Sequence, residues 1–263
     1  MAGVLCVWAK IPDEVLDWYE NEFLPARRAQ NAIHTLHCGL TPSGFEGEPI
    51  GKLDAPWPLC AIYEVADIEA ATRSCYDKTN HPPEHLWEGP LANARFDTRT
   101  YRQLKCWINE DWDGAPQISC TDLTFADMSQ VASVAAMEWR VTQEMKEEII
   151  SWYTSYVGPL ISSSPDIIRF RLFEVDNATV LQGESYETKE KDSLHTYFTM
   201  VELETEEWPW DVVLELAENE KWKQYFEAQR EVKWQLSHYL VKRLYSEKDD
   251  VVTVEKDKPK GQA

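Results

Sequence analysis

The sequence is poor in the features that mark membrane, nucleotide-binding and nucleic-acid-binding proteins. It has no apolar run long enough to span a bilayer and no visible export signal, so we expect a cytoplasmic protein. It lacks the GxGxxG and GxSxG motifs, and residues 47–53 fall one position short of a phosphate-binding loop. Lys and Arg number 26 against 46 Asp and Glu, a net charge of −20. Such a polyanion is repelled by nucleic acid and by anionic lipid.

Paired cysteines are also missing, since no two of the six form a CxxC motif. Most stand in apolar, strand-like runs, where cysteine behaves as a small hydrophobic residue. We therefore expect six buried, reduced thiols and no structural disulfide. His81 and His85 have the spacing of a helical metal pair, but Pro82 and Pro83 between them make a regular helix unfavourable, so no metal is expected. The cysteines are Cys6, Cys38, Cys60, Cys75, Cys106 and Cys120.

Large aromatic residues are frequent, with 12 Trp and 11 Tyr among 263 residues. Such side chains fill a core, and because Trp and Tyr also carry a polar group, they can line a cavity. Apolar residues make up 43% of the chain and charged residues 27%. These values are ordinary for a globular protein and exclude a wholly disordered chain.

The sequence repeats itself at an interval of about half its length. Residues 14–25 and 148–159 share Glu, Trp-Tyr and Pro at matching positions. Residues 103–108 match 235–240, and residues 63–65 match 201–203, in the same order along the chain. Three ordered matches indicate that one structural unit has been duplicated.

Hydrophobic periodicity gives each unit the element order β-α-β-β-α-β, which is the ferredoxin-like arrangement. We predict a first unit over residues 1–112, a linker over 113–132, a second unit over 133–246 and a disordered tail over 247–263. The predicted fold class is α+β, with two tandem ferredoxin-like units that together form an intramolecular dimeric α/β barrel.

The first unit resembles the EthD-like dimeric α/β-barrel proteins. The resemblance rests on Trp18-Tyr19 followed by Pro25-Ala26-Arg27, on residues 61–67, and on residues 96–101. It covers most of residues 3–109, and the second unit fits more weakly. The resemblance implies a chain like a fused dimer and a cofactor-free tailoring protein of fungal natural-product pathways. Many relatives carry His where Glu22 stands here, so no role of that His is carried over.

Strand alternation in the second unit predicts a polar site. Arg169 and Arg171 share one strand face, and His195 and Tyr197 share a face of a neighbouring strand. If these faces converge, they would bind a carboxylate, enolate or phenolate and exchange protons with it. The alternatives are a structural ion-pair network between the two arginines and Glu138, or a solvent-exposed face. The candidates of this unit are Arg169, Arg171, His195 and Tyr197 as catalytic residues, with Glu138, Arg140 and Tyr239 as substrate-binding residues.

The first unit offers a second set of candidates. His34 and His37 point to opposite strand faces, and a neutral His near a Glu can act as a base. Glu64 and Glu202 match in the repeat, so they form either two carboxylates in one cavity or two surface glutamates; we favour the surface alternative. The candidates of this unit are His37 as a catalytic residue, with Glu64, Tyr101, Lys105 and Trp107 as substrate-binding residues.

Three functions are compatible with these patterns. The leading one is a cofactor-free enzyme that cyclises, isomerises, eliminates from or guides a pericyclic reaction of an apolar polyketide- or terpenoid-like molecule. The second is a haem enzyme, with His195 or His238 as the strand-borne ligand candidate. The third is a ligand carrier without catalysis. All three predict a small-molecule partner, with neither nucleic acid nor membrane, and a monomeric pseudo-dimer or a homodimer.

Overall fold

The first half of the chain follows the predicted order of elements. The computed structural model describes residues 2–41, 58–108, 128–183 and 185–246. Within the first half the elements are β1 (Gly3–Lys10), α1 (residues 13–31), β2 (His34–Leu40), β3 (Leu59–Val65), α2 (Ile68–Ser74), α3 (Glu84–Trp87) and β4 (Arg95–Ile108).

The second half repeats this order and adds a short strand. Its elements are β5 (Ser133–Val141), α4 (residues 143–162), β6 (Ile167–Gln182), β7 (Ser185–Thr188), β8 (Tyr197–Leu203), α5 (Trp210–Glu218), α6 (residues 220–227) and β9 (Val232–Ser246). The hairpin of β6 and β7 was not predicted. Residues 113–127 of the linker predicted over 113–132, and the whole tail predicted over 247–263, lie outside the described residues.

Antiparallel pairing joins the two halves into a closed barrel. The strand order is β4-β1-β3-β2-β9-β5-β8-β6-β7, and an additional β4–β6 pairing closes the ring. Eight strands form the barrel, and β7 extends from its outside on β6. The predicted α+β barrel is therefore confirmed, and both seams between the halves, β2–β9 and β4–β6, lie within one chain.

The long helices α1 and α4 contain the same irregularity at matching places. Trp18 and Trp152 each directly precede a five-residue π-turn, Tyr19–Phe23 in α1 and Tyr153–Val157 in α4. A proline, Pro25 or Pro159, follows each π-turn. Proline lacks an N–H and clashes with a regular preceding turn, and a wider turn relieves both problems. Helix α1 therefore continues past Pro25 to Asn31.

Apolar side chains fill three separate spaces. One cluster lies beneath the helices of the first half, one beneath the helices of the second half, and one inside the barrel. Trp8, Phe198 and Tyr239 are among the large side chains that occupy the barrel interior. Among the described residues, no helix combines the length and apolar composition needed to cross a bilayer.

Gly158 of the second half packs closely against Trp107 of the first half. A Cβ atom on Gly158 of α4 would lie 2.4 Å from Cε2 of the Trp107 indole on β4. Trp107 also packs edge-on against Phe170, with ring centroids 5.4 Å apart. This predicted substrate-binding residue is thus a packing residue between the halves.

We expect Gly158→Ala to destabilise the protein by about 1–3 kcal/mol, because the indole has to shift from a packed position. Gly89→Ala is the matched control, since its Cβ would meet nothing closer than the His85 carbonyl oxygen at 3.9 Å. Urea unfolding of both variants measures the difference. Equal urea midpoints of unfolding for the two variants would show that the Gly158–Trp107 contact does not stabilise the protein.

The cysteine prediction is correct for four residues and wrong for one. Cys6, Cys38, Cys60 and Cys75 are buried and free. Burial raises the pKa of these thiols, so they are unreactive packing groups. Cys106 is disulfide-bonded, and Cys120 lies outside the described residues.

Candidate functional site

Four charged side chains form a closed cluster inside the barrel. Arg171 Nη1 donates to both carboxylate oxygens of Glu64 at 2.8 Å, and its Nη2 donates to Glu202 Oε1 at 2.9 Å. Arg169 Nη2 donates to Glu202 Oε1 at 2.7 Å and to Glu64 Oε2 at 3.3 Å. None of the four side chains is more than 7% exposed. The arginines therefore neutralise carboxylates of the same chain.

The charges in this cluster are mutually stabilised. Burial by itself would raise the pKa of Glu64, but Arg171 and Arg169 outweigh it and lower that pKa to about 2. The same guanidinium groups overcome burial at Glu202 and lower its pKa. His34 lies 3.9 Å from Glu64, and burial lowers its pKa. The favoured interpretation of Glu64 and Glu202 as surface residues is wrong, because both strands turn these positions into the barrel.

Glu138 belongs to a second buried cluster rather than to the arginine pair. Tyr101 donates its hydroxyl to Glu138 Oε1 at 2.6 Å, and Gln235 donates to Oε2 at 2.8 Å. Arg99 pairs with Glu138 and also donates to Asp97 at 3.0 Å. Burial opposes ionisation of Glu138, yet these donors lower its pKa. Ion pairs were predicted between Glu138 and the two arginines Arg169 and Arg171. Glu138 instead pairs with Arg99, a residue that the sequence analysis did not identify.

The predicted convergence of the arginines with His195 and Tyr197 does not occur. Tyr197 lies on the opposite sheet face, beneath α4, with its ring 4.6 Å from that of Trp139. Arg171 is paired across the strands with Met200, so the odd-numbered positions of β8 face away from it. Alternation identifies the faces within one strand but leaves the register between strands open. His195 precedes β8 and lies outside the strand in which it was placed.

The remaining candidates are scattered. Arg140 and Lys105 are exposed, and Tyr239 is buried in the barrel interior.

His37 is buried beneath α1, with Nδ1 3.5 Å from Glu20 Oε1. Burial, with Lys242 and Arg243 nearby, lowers the pKa of His37 to about 4, so it is neutral at pH 7. His34 and His37 do lie on opposite faces, as predicted. Catalytic roles for all these residues stay predictions.

The second half contains a cavity of about 130 Å³ between its sheet and its helices. Met137, Val201 and Leu236 contribute the sheet wall, and Val213 and Leu216 contribute the wall formed by α5. The lining is almost wholly apolar. No charge or motif marks such a cavity, so sequence reasoning found none of it beyond the abundance of aromatic residues.

Three polar groups are joined by hydrogen bonds beside this cavity. Tyr153 and Thr199 are among the residues that line the cavity, and the Tyr153 hydroxyl lies 2.8 Å from Thr199 Oγ1. Trp139 Nε1 donates to the same Oγ1 at 3.1 Å. Burial raises the pKa of Tyr153, so its phenol is neutral at pH 7. The cavity thus combines an apolar wall with one hydroxyl pair that can orient a polar group of a ligand.

The corresponding space beneath α1 in the first half is filled. Tyr19, which matches Tyr153 in the repeat, packs there with Tyr63 and Tyr245. Ala61 stands where the repeat places Thr199, so Tyr19 lacks the matching hydroxyl. Among the described residues the Tyr19 hydroxyl has no hydrogen-bond partner. The two halves therefore share a backbone design, but the space that holds a cavity in the second half is occupied by tyrosine side chains in the first.

The residues of the cavity do not fit haem. No histidine or cysteine is among the residues that line it, and these are the side chains that most often ligate haem iron. His238 lies behind Trp208 rather than in the lining. Among residues 2–41, 58–108, 128–183 and 185–246, no three His, Cys, Asp or Glu side chains come together as a metal site.

The sequence matches no family model and no curated protein, but the fold matches solved structures. An anthrone oxidase-like protein superposes with a TM-score of 0.55 at 8% identity, over 93% of this chain and 92% of that one. A Fusobacterium nucleatum protein described as a proposed monooxygenase gives 0.50 at 7% identity, over 94% and 95%. A similarly described Lactobacillus acidophilus protein gives 0.50 at 6% identity, over 93% and 96%. These likenesses support the dimeric α/β-barrel fold.

Proposed function

We propose that the chain is a cofactor-independent enzyme that binds an apolar small molecule in the cavity beneath α5. The observation that carries the proposal is an apolar cavity whose lining residues include Tyr153 and Thr199, which share one buried hydroxyl hydrogen bond. Hydrogen bonds in such a water-poor site polarise a bound carbonyl or enol strongly. Cyclisation, isomerisation, elimination and pericyclic closure need little more than this polarisation and a shaped wall.

The size of the cavity defines the part of the substrate that it holds. At about 130 Å³ it approaches the roughly 150 Å³ of an engineered apolar cavity that binds benzene. We infer that it takes one ring or one isoprenoid-sized group, while the rest of a polyketide- or terpenoid-like substrate extends toward solvent. The anthrone oxidase-like neighbour and the EthD-like sequence pattern support a role in natural-product tailoring.

Cavity filling tests this proposal. We expect toluene to bind the native chain, and Val213→Trp to weaken that binding by at least about tenfold, which corresponds to ~1.4 kcal/mol. Val213 lines the cavity on α5. Leu214 on the same helix is 60% exposed, so Leu214→Trp is the matched control and should bind toluene as the native chain does. Titration followed by NMR measures both; failure of the native chain to bind toluene would refute the site.

A non-catalytic carrier is the second candidate. The observation in its favour is that no side chain of the lining carries a charge. Product formation distinguishes the two functions: a carrier returns a bound enolisable ketone unchanged, while the enzyme exchanges its α-protons with deuterium in D₂O. Native mass spectrometry of the purified chain would identify any retained ligand for that assay.

A further inference from the structure

One imidazole lies directly behind the wall of the cavity. His238 of β9 is the strand partner of Ala135, and its ring lies 5.1 Å from the ring of Trp208. Ala135 and Trp208 both line the cavity. His238 is 5% exposed, so its surroundings, rather than bulk water, determine what its ring nitrogens bind.

The hydrogen bonds around His238 define its tautomer. Thr41 Oγ1 donates its proton to the His238 carbonyl oxygen at 2.9 Å. The same Oγ1 lies 3.3 Å from His238 Nδ1. Because the threonine proton is already committed, Oγ1 acts as the acceptor and Nδ1 carries the ring proton. Nε2 is therefore the unprotonated nitrogen of the ring.

This lone pair has no partner in the described parts of the chain. Nε2 of His238 is buried and makes no hydrogen bond. An unsatisfied buried acceptor costs about 1–3 kcal/mol, so such a group calls for an explanation. Burial also lowers the pKa of His238, which keeps the ring neutral and leaves Nε2 available as a hydrogen-bond acceptor at pH 7.

We propose that His238 Nε2 is the acceptor for a hydroxyl group of the cavity ligand, which is an apolar ring bearing one phenolic or enolic O–H. This inference rests on the proposed function and adds a hydrogen-bond acceptor to its site. Trp208 stands between the cavity and His238 in the irregular segment between β8 and α5, so the proposal requires a different Trp208 rotamer in the ligand complex. Nε2 accepts a hydrogen bond from the ligand O–H, and the proton stays on the ligand oxygen because burial disfavours the imidazolium.

A matched pair of probes tests the inference. Phenol and toluene have nearly the same shape, and only phenol carries an O–H. We expect His238→Phe to lower the ratio of phenol affinity to toluene affinity by about tenfold, the loss of one hydrogen bond of ~1.4 kcal/mol, while toluene affinity stays within about twofold. His81→Phe, a change in the first half at a residue outside the cavity lining, is the control and should leave the ratio unchanged.

A second measurement uses the native chain and does not depend on the variant folding. In ¹⁵N NMR, the His238 Nε2 resonance should move upfield with phenol and stay in place with toluene. Absence of toluene binding would refute the proposed cavity site itself. If toluene binds but the affinity ratio survives His238→Phe and phenol leaves the Nε2 resonance unmoved, the cavity stands and the role of His238 is refuted.

Discussion

Replacement of Arg171 by methionine should destabilise the protein by about 3–5 kcal/mol, the typical cost of removing one partner of a buried ion pair. Met keeps the length of the side chain and removes the donors to Glu64 and Glu202, both of which stay buried. Arg140→Met is the matched control, because Arg140 is an exposed strand residue. Urea unfolding at pH 7 measures both. A loss below about 1 kcal/mol in the Arg171 variant would show that the cluster is dispensable, since surface substitutions give such values.

The same cluster gives the protein a defined sensitivity to acid. The pKa of Glu64 is lowered to about 2 from an ordinary value of 4.5. Its ionisation therefore contributes its full stabilisation above about pH 5, and that contribution is lost as the pH falls from about 5 toward 2. The native chain should lose stability steeply in this range, and Arg171→Met should show a shallower slope.

Thr199→Val is expected to cost about 2–4 kcal/mol, because it leaves the buried Trp139 N–H without an acceptor and the buried Tyr153 hydroxyl without its partner. Valine has the shape of threonine, so packing is preserved. The Oγ1 atom that disappears receives Trp139 Nε1 at 3.1 Å and lies 2.8 Å from the Tyr153 hydroxyl.

Graded controls separate this effect from a general loss of packing. Tyr153→Phe removes only one of the two hydrogen bonds, so it should cost about 1 kcal/mol. Thr188→Val changes an exposed hydroxyl on β7 and should stay within about 0.5 kcal/mol. Thermal and urea unfolding report the order of the three variants. If Thr199→Val lowers the free energy of unfolding no more than Tyr153→Phe does, the Trp139 hydrogen bond does not contribute to stability.

The barrel could be predicted from the sequence because its signals are local and repeated. The matched tryptophans Trp18 and Trp152 lie at equivalent helix positions, and strand alternation correctly placed His34 and His37 on opposite faces. Such local patterns can be read from the sequence because they reflect the geometry of single helices and strands, which does not depend on contacts between distant segments.

The candidate site could not be predicted because it depends on contacts between distant segments. Glu64 and Arg171 come from different halves of the chain, and no local pattern shows that they meet inside the barrel. Tyr63 and Val201 occupy matching positions in the two halves. The cavity lies on the side of the smaller residue, Val201. Sequence alternation treats both residues alike as positions under a helix, so it gives no sign of the space that the smaller one leaves.

The filled space beneath α1 has a consequence for stoichiometry. When a barrel is assembled from two identical chains, every substitution appears twice, and an assembly that gains a cavity in one subunit gains it in both. Here Tyr63 and Tyr245 occupy the first half while Val201 leaves room in the second. Calorimetric titration of the cavity ligand should therefore saturate at one molecule per barrel, where a symmetric homodimer would take two.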